Sequence, residues 1–353
     1  MTGSAAKHSP VLDMTVVTDT PLNRRLDGAK PRVWVTRRLL PATQARMAEL
    51  FDTCFNDDDR AMGRDELVAA MRECDVLVPT VTDTIDADVI ARAGDRLGLI
   101  ANFGAGTDHI DLGAARQRRI VVTNTPGVFT DDTADLTMAL MISVMRRLTE
   151  GMHLLASGQW QGWGPSTLLG HRLGGKRLAI VGMGRIGQAV AHRARAFGLE
   201  IVYHNRHRLP AALENMCSAR YEPDLEKLVA EADILSLHCP AGPETNLILD
   251  AARIGSMKPS ACIINTARGE LIDEDALIAA LAEGRLAGAG LDVYTHEPSV
   301  NPRLNALPNV VTMPHLGSAT IEGREASGER VIANIRFWVD GHRPPDQVLE
   351  GWT

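Results

Sequence analysis

Three short segments carry residue types that bind anions and move protons. They are Asn265-Thr266-Ala267-Arg268-Gly269-Glu270, Leu291-Asp292-Val293 through Glu297-Pro298, and Pro314-His315-Leu316-Gly317-Ser318-Ala319-Thr320. Each stands at the C-terminal end of a predicted strand, where open α/β sheets bind their ligands. A guanidinium forks onto planar oxygens, and an imidazole exchanges its proton near neutral pH. Taken singly, each segment also has a plainer reading: Arg268 as a surface ion pair, Glu297 as a turn residue before proline, His315 as a loop histidine.

A fourth segment, Gly182-Met183-Gly184-Arg185-Ile186-Gly187, follows the apolar run Arg177–Val181 and opens a helical run to Gly198. A second apolar run, Glu200–His204, comes next. Strand, glycine turn, helix and strand in this order form the phosphate-binding half of a dinucleotide fold. Gly182 permits the tight turn, Gly184 lets backbone approach a pyrophosphate, and Gly187 lets helix and strand pack closely. The helix N-terminus then offers unpaired N–H groups to the anion.

The end of the second strand bears on which dinucleotide binds. An NAD-binding unit usually has Asp or Glu there, roughly 20 residues past the glycines, bonding the ribose 2′-hydroxyl. This chain has Asn205-Arg206-His207-Arg208 instead. The acid is missing and two guanidiniums have been added, so the segment is expected to receive the 2′-phosphate of NADP(H), with NAD(H) as the alternative cofactor. A solvated basic loop is the plainer reading.

These segments need a scaffold of alternating strands and helices, and the chain supplies one. Apolar runs at 32–36, 75–79, 97–101 and 120–122 alternate with helical stretches after Pro41 and over 65–72. A second series begins at Leu178 and continues at 233–237, 261–265, 288–292 and 310–312. Such alternation predicts parallel α/β sheets. One long helix is expected over Asp132–Leu155, joining the two series, and another over Ile321–Val339, returning to the first. The 353 residues suit two domains. A hydrophobic content of 45% and a net charge of −7 point to a globular enzyme without a nucleic-acid or polybasic membrane surface. No apolar run reaches the roughly 18 residues that span a bilayer. The five cysteines are scattered without Cys-x-x-Cys spacing, which argues against a metal site and for a reducing compartment, the cytoplasm. Residues 1–30 are polar and aperiodic and are expected to form a flexible extension; the alternative is an arm that packs on a partner subunit.

Further motifs join these: Asn102-Phe-Gly-Ala-Gly-Thr-Asp108, Thr125-Pro-Gly-Val-Phe-Thr130, Thr133-Ala-Asp135, His238-Cys-Pro240 and Pro243-Glu-Thr245. With them, residues 31–340 resemble the D-isomer-specific 2-hydroxyacid dehydrogenase family. Gly158-Gln-Trp160-Gln-Gly-Trp163 and the Asn-Arg ending of the second strand look most like its glyoxylate and hydroxypyruvate reductases. The formate dehydrogenases of this superfamily have Gln where Glu297 stands.

The resemblance implies two doubly wound parallel-sheet domains with a cleft between them. A Rossmann-type cofactor domain would occupy 127–320. A flavodoxin-like substrate domain would take 31–126 together with 321–353. The resemblance further implies NADPH-dependent reduction of a small 2-keto acid, in a homodimer. Arg268 would hold the carboxylate and keto oxygen. His315 would protonate the carbonyl oxygen, and Glu297 would bond the other ring nitrogen and favour imidazolium. Backbone N–H groups at Ala105 and Gly106 would bind the carboxylate from the other domain. Asp292 would orient the nicotinamide amide. Thr133, Cys239, Pro240, Thr245, Thr266, Ala267 and Gly317 would line the cofactor cleft, with Arg185 and Ile186 in the glycine loop. Trp160 or Trp163 would reach a neighbouring subunit or pack a turn. The same fold also serves dinucleotide-sensing corepressors, so fold alone leaves that second function open, as it does a dehydrogenase of another 2-hydroxy acid.

Overall fold

The computed structural model describes residues 29–349; residues 1–28 of the expected N-terminal extension and the last four residues lie outside them. Five strands form the first sheet: β1 (Arg32–Val35), β2 (Asp52–Phe55), β3 (Val76–Val78), β4 (Leu99–Ala101) and β5 (Val121–Thr123). Their order is β2-β1-β3-β4-β5, all parallel, which is the flavodoxin-like winding. Seven strands form the second sheet: β6 (Arg177–Val181), β7 (Glu200–His204), β8 (Ala219–Tyr221), β9 (Ile234–Leu237), β10 (Cys262–Asn265), β11 (Gly288–Leu291) and β12 (Val310–Thr312). Their order, β12-β11-β10-β9-β6-β7-β8, reverses direction at β6, the Rossmann arrangement. The glycine loop leaves β6 at that switch point.

Strands β9, β10 and β11 are buried at every residue, because helices cover both faces of a parallel sheet. Their apolar runs are therefore continuous rather than alternating. Strands β2 and β8 escape a reading by pattern. Both lie at sheet edges, are short, and are half-buried or exposed at each position.

The expected long helix is two. Helix Thr130–Met145 packs on the second sheet, and a separate helix, Leu148–Ala156, follows. The break has a tertiary cause. His171 donates its N–H to the Met145 carbonyl at 2.7 Å, and a Cβ on Gly170 would come within 2.4 Å of that oxygen. The returning chain thus seats itself on the helix end. Arg147 turns the backbone through the left-handed region (φ 53°), and its guanidinium bonds Glu150 at 2.6 and 2.8 Å.

Helix Ile321–Val339 forms with the expected bounds. Thr320 caps it by accepting from Gly323 N–H at 2.9 Å. Its buried stripe of Val331, Ile332, Ile335 and Trp338 joins the core of the first sheet with Val33, Val78 and Leu99. The tail then bonds to the edge strand, Val348 N–H to Val122 carbonyl at 2.9 Å. No helix among the described residues is long and apolar enough to cross a membrane.

Candidate active site

The loops that follow β4, β6, β10, β11 and β12 meet in the cleft between the two sheets, and hydrogen bonds of local turns set their shapes. Asn265 builds the turn that presents Arg268. Its Oδ1 accepts from Ala267 N–H at 3.0 Å and its Nδ2 donates to the Arg268 carbonyl at 2.7 Å. Gly269 lies so close to the next turn that a Cβ there would come within 2.0 Å of Tyr294 backbone. This contact presses the Arg268 turn onto the segment that carries Glu297.

His315 and Glu297 form a direct pair, Nδ1 to Oε2 at 2.7 Å. The other carboxylate oxygen accepts from Tyr294 N–H at 3.0 Å, which aims it. Burial raises the Glu297 carboxyl, but the His315 bond and charge and the Tyr294 amide together hold it below the usual carboxylate range. The pairing leaves His315 Nε2 without an intramolecular partner among the hydrogen bonds of this site. His315 itself sits at φ 54°, a conformation that a non-glycine residue adopts only when its surroundings impose it.

Those surroundings centre on Asp292, which is wholly buried. Its Oδ1 accepts from Leu316 N–H at 2.6 Å, and its Oδ2 from Gly317 N–H at 2.8 Å. Its backbone carbonyl accepts from His315 N–H at 3.0 Å. Burial pushes the Asp292 carboxyl up, against the pull of the two amides. Asp292 thus builds the His315 loop, a part that the sequence does not reveal; the residue was expected only to face the nicotinamide amide. Thr133 continues the network by donating to the Gly317 carbonyl at 2.9 Å, and Thr137 meets Thr266 at 2.9 Å. Helix 130–145 is tied in this way to the loops after β10 and β12.

The glycine loop meets the demands of a dinucleotide. A Cβ on Gly182 (φ 97°) would lie 2.5 Å from Cys239 N, and one on Gly187 would lie 2.4 Å from the Gly182 carbonyl. At Gly184 nothing stands within 4 Å, so this face of the loop is open. Gly184 also caps helix Arg185–Ala196 without any side chain to occupy the first amides. Open approach plus free helix N–H groups is what a pyrophosphate needs. The loop at Cys239 and Pro240 lies against Gly182, and Thr245 Oγ1 donates to the Pro240 carbonyl at 2.7 Å.

The ribose end differs from expectation in three ways. Asn205 Oδ1 accepts from Met183 N–H at 2.7 Å, so this residue braces the glycine loop. Arg208 is engaged elsewhere: Glu214 takes its Nε and Nη2 at 2.9 and 2.8 Å, and Tyr203 bonds the same carboxylate at 2.7 Å. The segment is not free of carboxylates either. Arg206 pairs with Glu244 at 2.8 Å, a residue that the loop after β9 brings alongside from distant sequence. Both members of that pair are largely exposed, at 77% and 72%, so the pair is weak.

From the first sheet, the loop after β4 supplies Ala105 and Gly106. Asn124 Nδ2 donates to the Ala105 carbonyl at 2.7 Å. A Cβ on Gly106 would come within 2.0 Å of Arg268 Nη2, so only glycine permits this approach. Asp108 crosses the cleft to Arg268 at 3.0 Å.

Comparison with known proteins agrees with this geometry. Residues 138–317 match the family model described as D-isomer specific 2-hydroxyacid dehydrogenase, NAD binding domain. A glyoxylate reductase of Thermococcus litoralis is 45% identical over 324 residues, covering 90% of this chain and 97% of that protein. The chain belongs to the D-isomer-specific 2-hydroxyacid dehydrogenases. It is accordingly an NAD(P)-dependent oxidoreductase whose substrates are small keto or hydroxy acids. Solved structures of family members align along nearly their whole length. A glyoxylate reductase from Paecilomyes thermophila has 32% identity and a TM-score of 0.81, covering 91% of this chain and 99% of that one. An NADPH-dependent glyoxylate/hydroxypyruvate reductase from Sinorhizobium meliloti, solved with NADP and malonate, also has 32% identity and a TM-score of 0.81, covering 92% and 98%.

Proposed function

We propose that this 2-hydroxyacid dehydrogenase reduces glyoxylate, and hydroxypyruvate beside it, to the corresponding 2-hydroxy acids with NADPH, using His315 as the proton donor. The observation that carries this reading is the 2.7 Å bond from His315 Nδ1 to Glu297, which commits one ring nitrogen and leaves Nε2 for the substrate. A bound nicotinamide coenzyme supplies the hydride to the carbonyl carbon. Nε2 gives its proton to the carbonyl oxygen as negative charge develops there. Glu297 accepts from Nδ1–H before and after that transfer, so it fixes the tautomer and stabilises the imidazolium. In the oxidative direction the same nitrogen takes the hydroxyl proton. Arg268 and the amides of Ala105 and Gly106 grip the carboxylate from opposite lobes. These lobes are residues 31–126 with 321–353, and residues 127–320.

For the cofactor, Arg206 is the residue proposed to read the 2′-phosphate. Its exposed bond to Glu244 is readily exchanged, whereas Arg208 is committed to Glu214. An oxidation assay with NADPH and NADH on glyoxylate tests activity and preference together. Arg206→Asp should reverse the kcat/KM ratio toward NADH, because the new carboxylate repels the phosphate and accepts from a 2′-hydroxyl. An unchanged ratio would show that Arg206 does not read the phosphate.

A homodimer is proposed on the apolar face of helix Leu148–Ala156 and the segment beyond it. Met152, Leu155, Trp163 and Leu169 are each at least 64% exposed there, and the helix has no buried residue. That face borders a groove of about 420 Å³ beside Arg147 and Leu169. Forward scattering at twice the chain mass is the expected result, and a monomer mass overturns it. All five cysteines are unpaired, which supports a reducing compartment such as the cytoplasm.

A further inference from the structure

Arg268 does not stand free in the cleft. Asp108 takes its Nε at 3.1 Å and 3.2 Å and its Nη2 at 3.0 Å, while Nη1 donates to the Ala267 carbonyl at 2.7 Å. A guanidinium has five N–H groups in one plane. Three are used in this way, and one remains on each terminal nitrogen. Asp108 lies along the Nε edge, so the donor left on Nη2 belongs to the far end of the fork. That end, between the two terminal nitrogens, is the edge of a guanidinium that meets a carboxylate with parallel N–H groups.

The segment that carries Asp108 is itself held rigidly. Asn102 is wholly buried, and its Nδ2 donates to the carbonyls of Gly104 at 3.1 Å and Gly106 at 2.8 Å. With both amide hydrogens spent on carbonyls, Asn102 Oδ1 is the acceptor for His109 Nε2 at 3.1 Å. His109 therefore carries its proton on Nε2. Burial lowers its pKa to about 4, so it stays neutral at working pH. The loop 104–106 and Asp108 are thus fixed by one buried amide and one neutral imidazole. Gly106 approaches Arg268 Nη2 so closely that no side chain would fit between them.

We propose that Asp108 is a positioning residue for substrate recognition: it occupies the Nε edge of Arg268 so that the far end of the fork faces the carboxylate of a 2-keto acid. The inference rests on the reading of Arg268 as the substrate's carboxylate clamp. It adds that the clamp is set by a residue of the opposite lobe. With Asp108 beside it, Arg268 is charge-compensated before substrate arrives. Its selectivity for a planar carboxylate then comes from donor geometry more than from net charge.

The test uses the full-length protein, steady-state kinetics with glyoxylate, and the affinity of oxamate as a non-reactive keto-acid analogue. Asp108→Asn is isosteric and keeps one acceptor but loses the charge. KM for glyoxylate and Kd for oxamate should rise about 10- to 100-fold, the range for a lost charge-assisted bond. The Kd for NADPH should stay within about twofold, since the carboxylate is not placed at the cofactor. A combined variant separates positioning from a general structural role. In an Arg268→Lys background the fork is gone, so Asp108→Asn should add less than about twofold. Unchanged KM and oxamate affinity in the single variant would overturn the proposal. So would an independent, multiplicative loss in the double variant, or an equal loss of NADPH binding. If the wild-type enzyme reduces no 2-keto acid with either coenzyme, the clamp reading falls first and this inference with it. If the wild-type enzyme is active and Asp108→Asn is silent, only the inference falls.

Discussion

At the residue scale, the His315–Glu297 pair makes the sharpest demands. Replacing His315 with Gln removes the proposed proton donor but not the loop that holds it, because Asp292 anchors that loop through backbone amides. The kcat for glyoxylate reduction should fall by roughly 10²–10⁴-fold, the usual contribution of a positioned general acid. NADPH affinity should change little. Glu297→Gln does something different: it leaves a hydrogen bond to Nδ1 and removes a negative charge. Glu297 is held below the usual carboxylate range, so its negative charge stands beside His315. Reduction needs the proton on His315. Without that charge the proton donor loses its electrostatic support, so kcat for reduction should fall, though by less than in His315→Gln. Near wild-type kcat in either His315→Gln or Glu297→Gln would show the roles to be wrong.

At the element scale, the glycine loop separates packing from binding. Gly182 is held at φ 97° against the loop of Cys239, and a Cβ would meet backbone at 2.5 Å. Gly184 faces open space. Gly182→Ala should therefore lower Tm, through strain of about 1–3 kcal/mol from an unfavourable φ alone. Gly184→Ala should leave Tm nearly unchanged yet weaken NADPH binding, because its methyl group takes up the open approach. Calorimetry of the two variants, with and without cofactor, checks this. Equal Tm losses, or a Gly184→Ala protein that binds NADPH as well as wild type, would contradict the division. The same scale explains why one long helix became two. Periodicity carries through Arg146 and Arg147 without interruption. Only the return of Gly170 and His171 onto Met145 ends the first helix.

At the scale of the whole molecule, the proposed substrate site lies between two sheets that share few covalent connections. The Asp108–Arg268 bond bridges them, but its members are 38% and 23% exposed, and such a pair does not lock two lobes on its own. Carboxylate binding from both sides adds what the ion pair lacks, and excluding water around the hydride path requires approach of the lobes. The radius of gyration should fall when NADPH and oxamate are both bound. Small-angle scattering on the wild-type enzyme measures it. Identical radii, with calorimetry showing both ligands in place, would count against closure.

Sequence alone determined the parts whose signal is local. Buried parallel strands read as apolar runs, the glycine spacing marked the tight turn after β6, and the run Ile321–Val339 read as the final helix. The placement of the segments that carry Arg268, Glu297 and His315 was legible because each stands just past a strand, where a doubly wound sheet delivers its loops. Tertiary structure alone decided everything that joins distant segments. It set Asp108 on Arg268 across 160 residues, Glu244 on Arg206 across 38, and Asp292 on the amides that shape the His315 loop. Edge strands β2 and β8 belong with these, since pairing rather than composition makes them strands. The physical reason is common to all. A strand or helix announces itself through the period of its own burial, whereas a hydrogen bond between loops depends on where the rest of the chain has placed both ends.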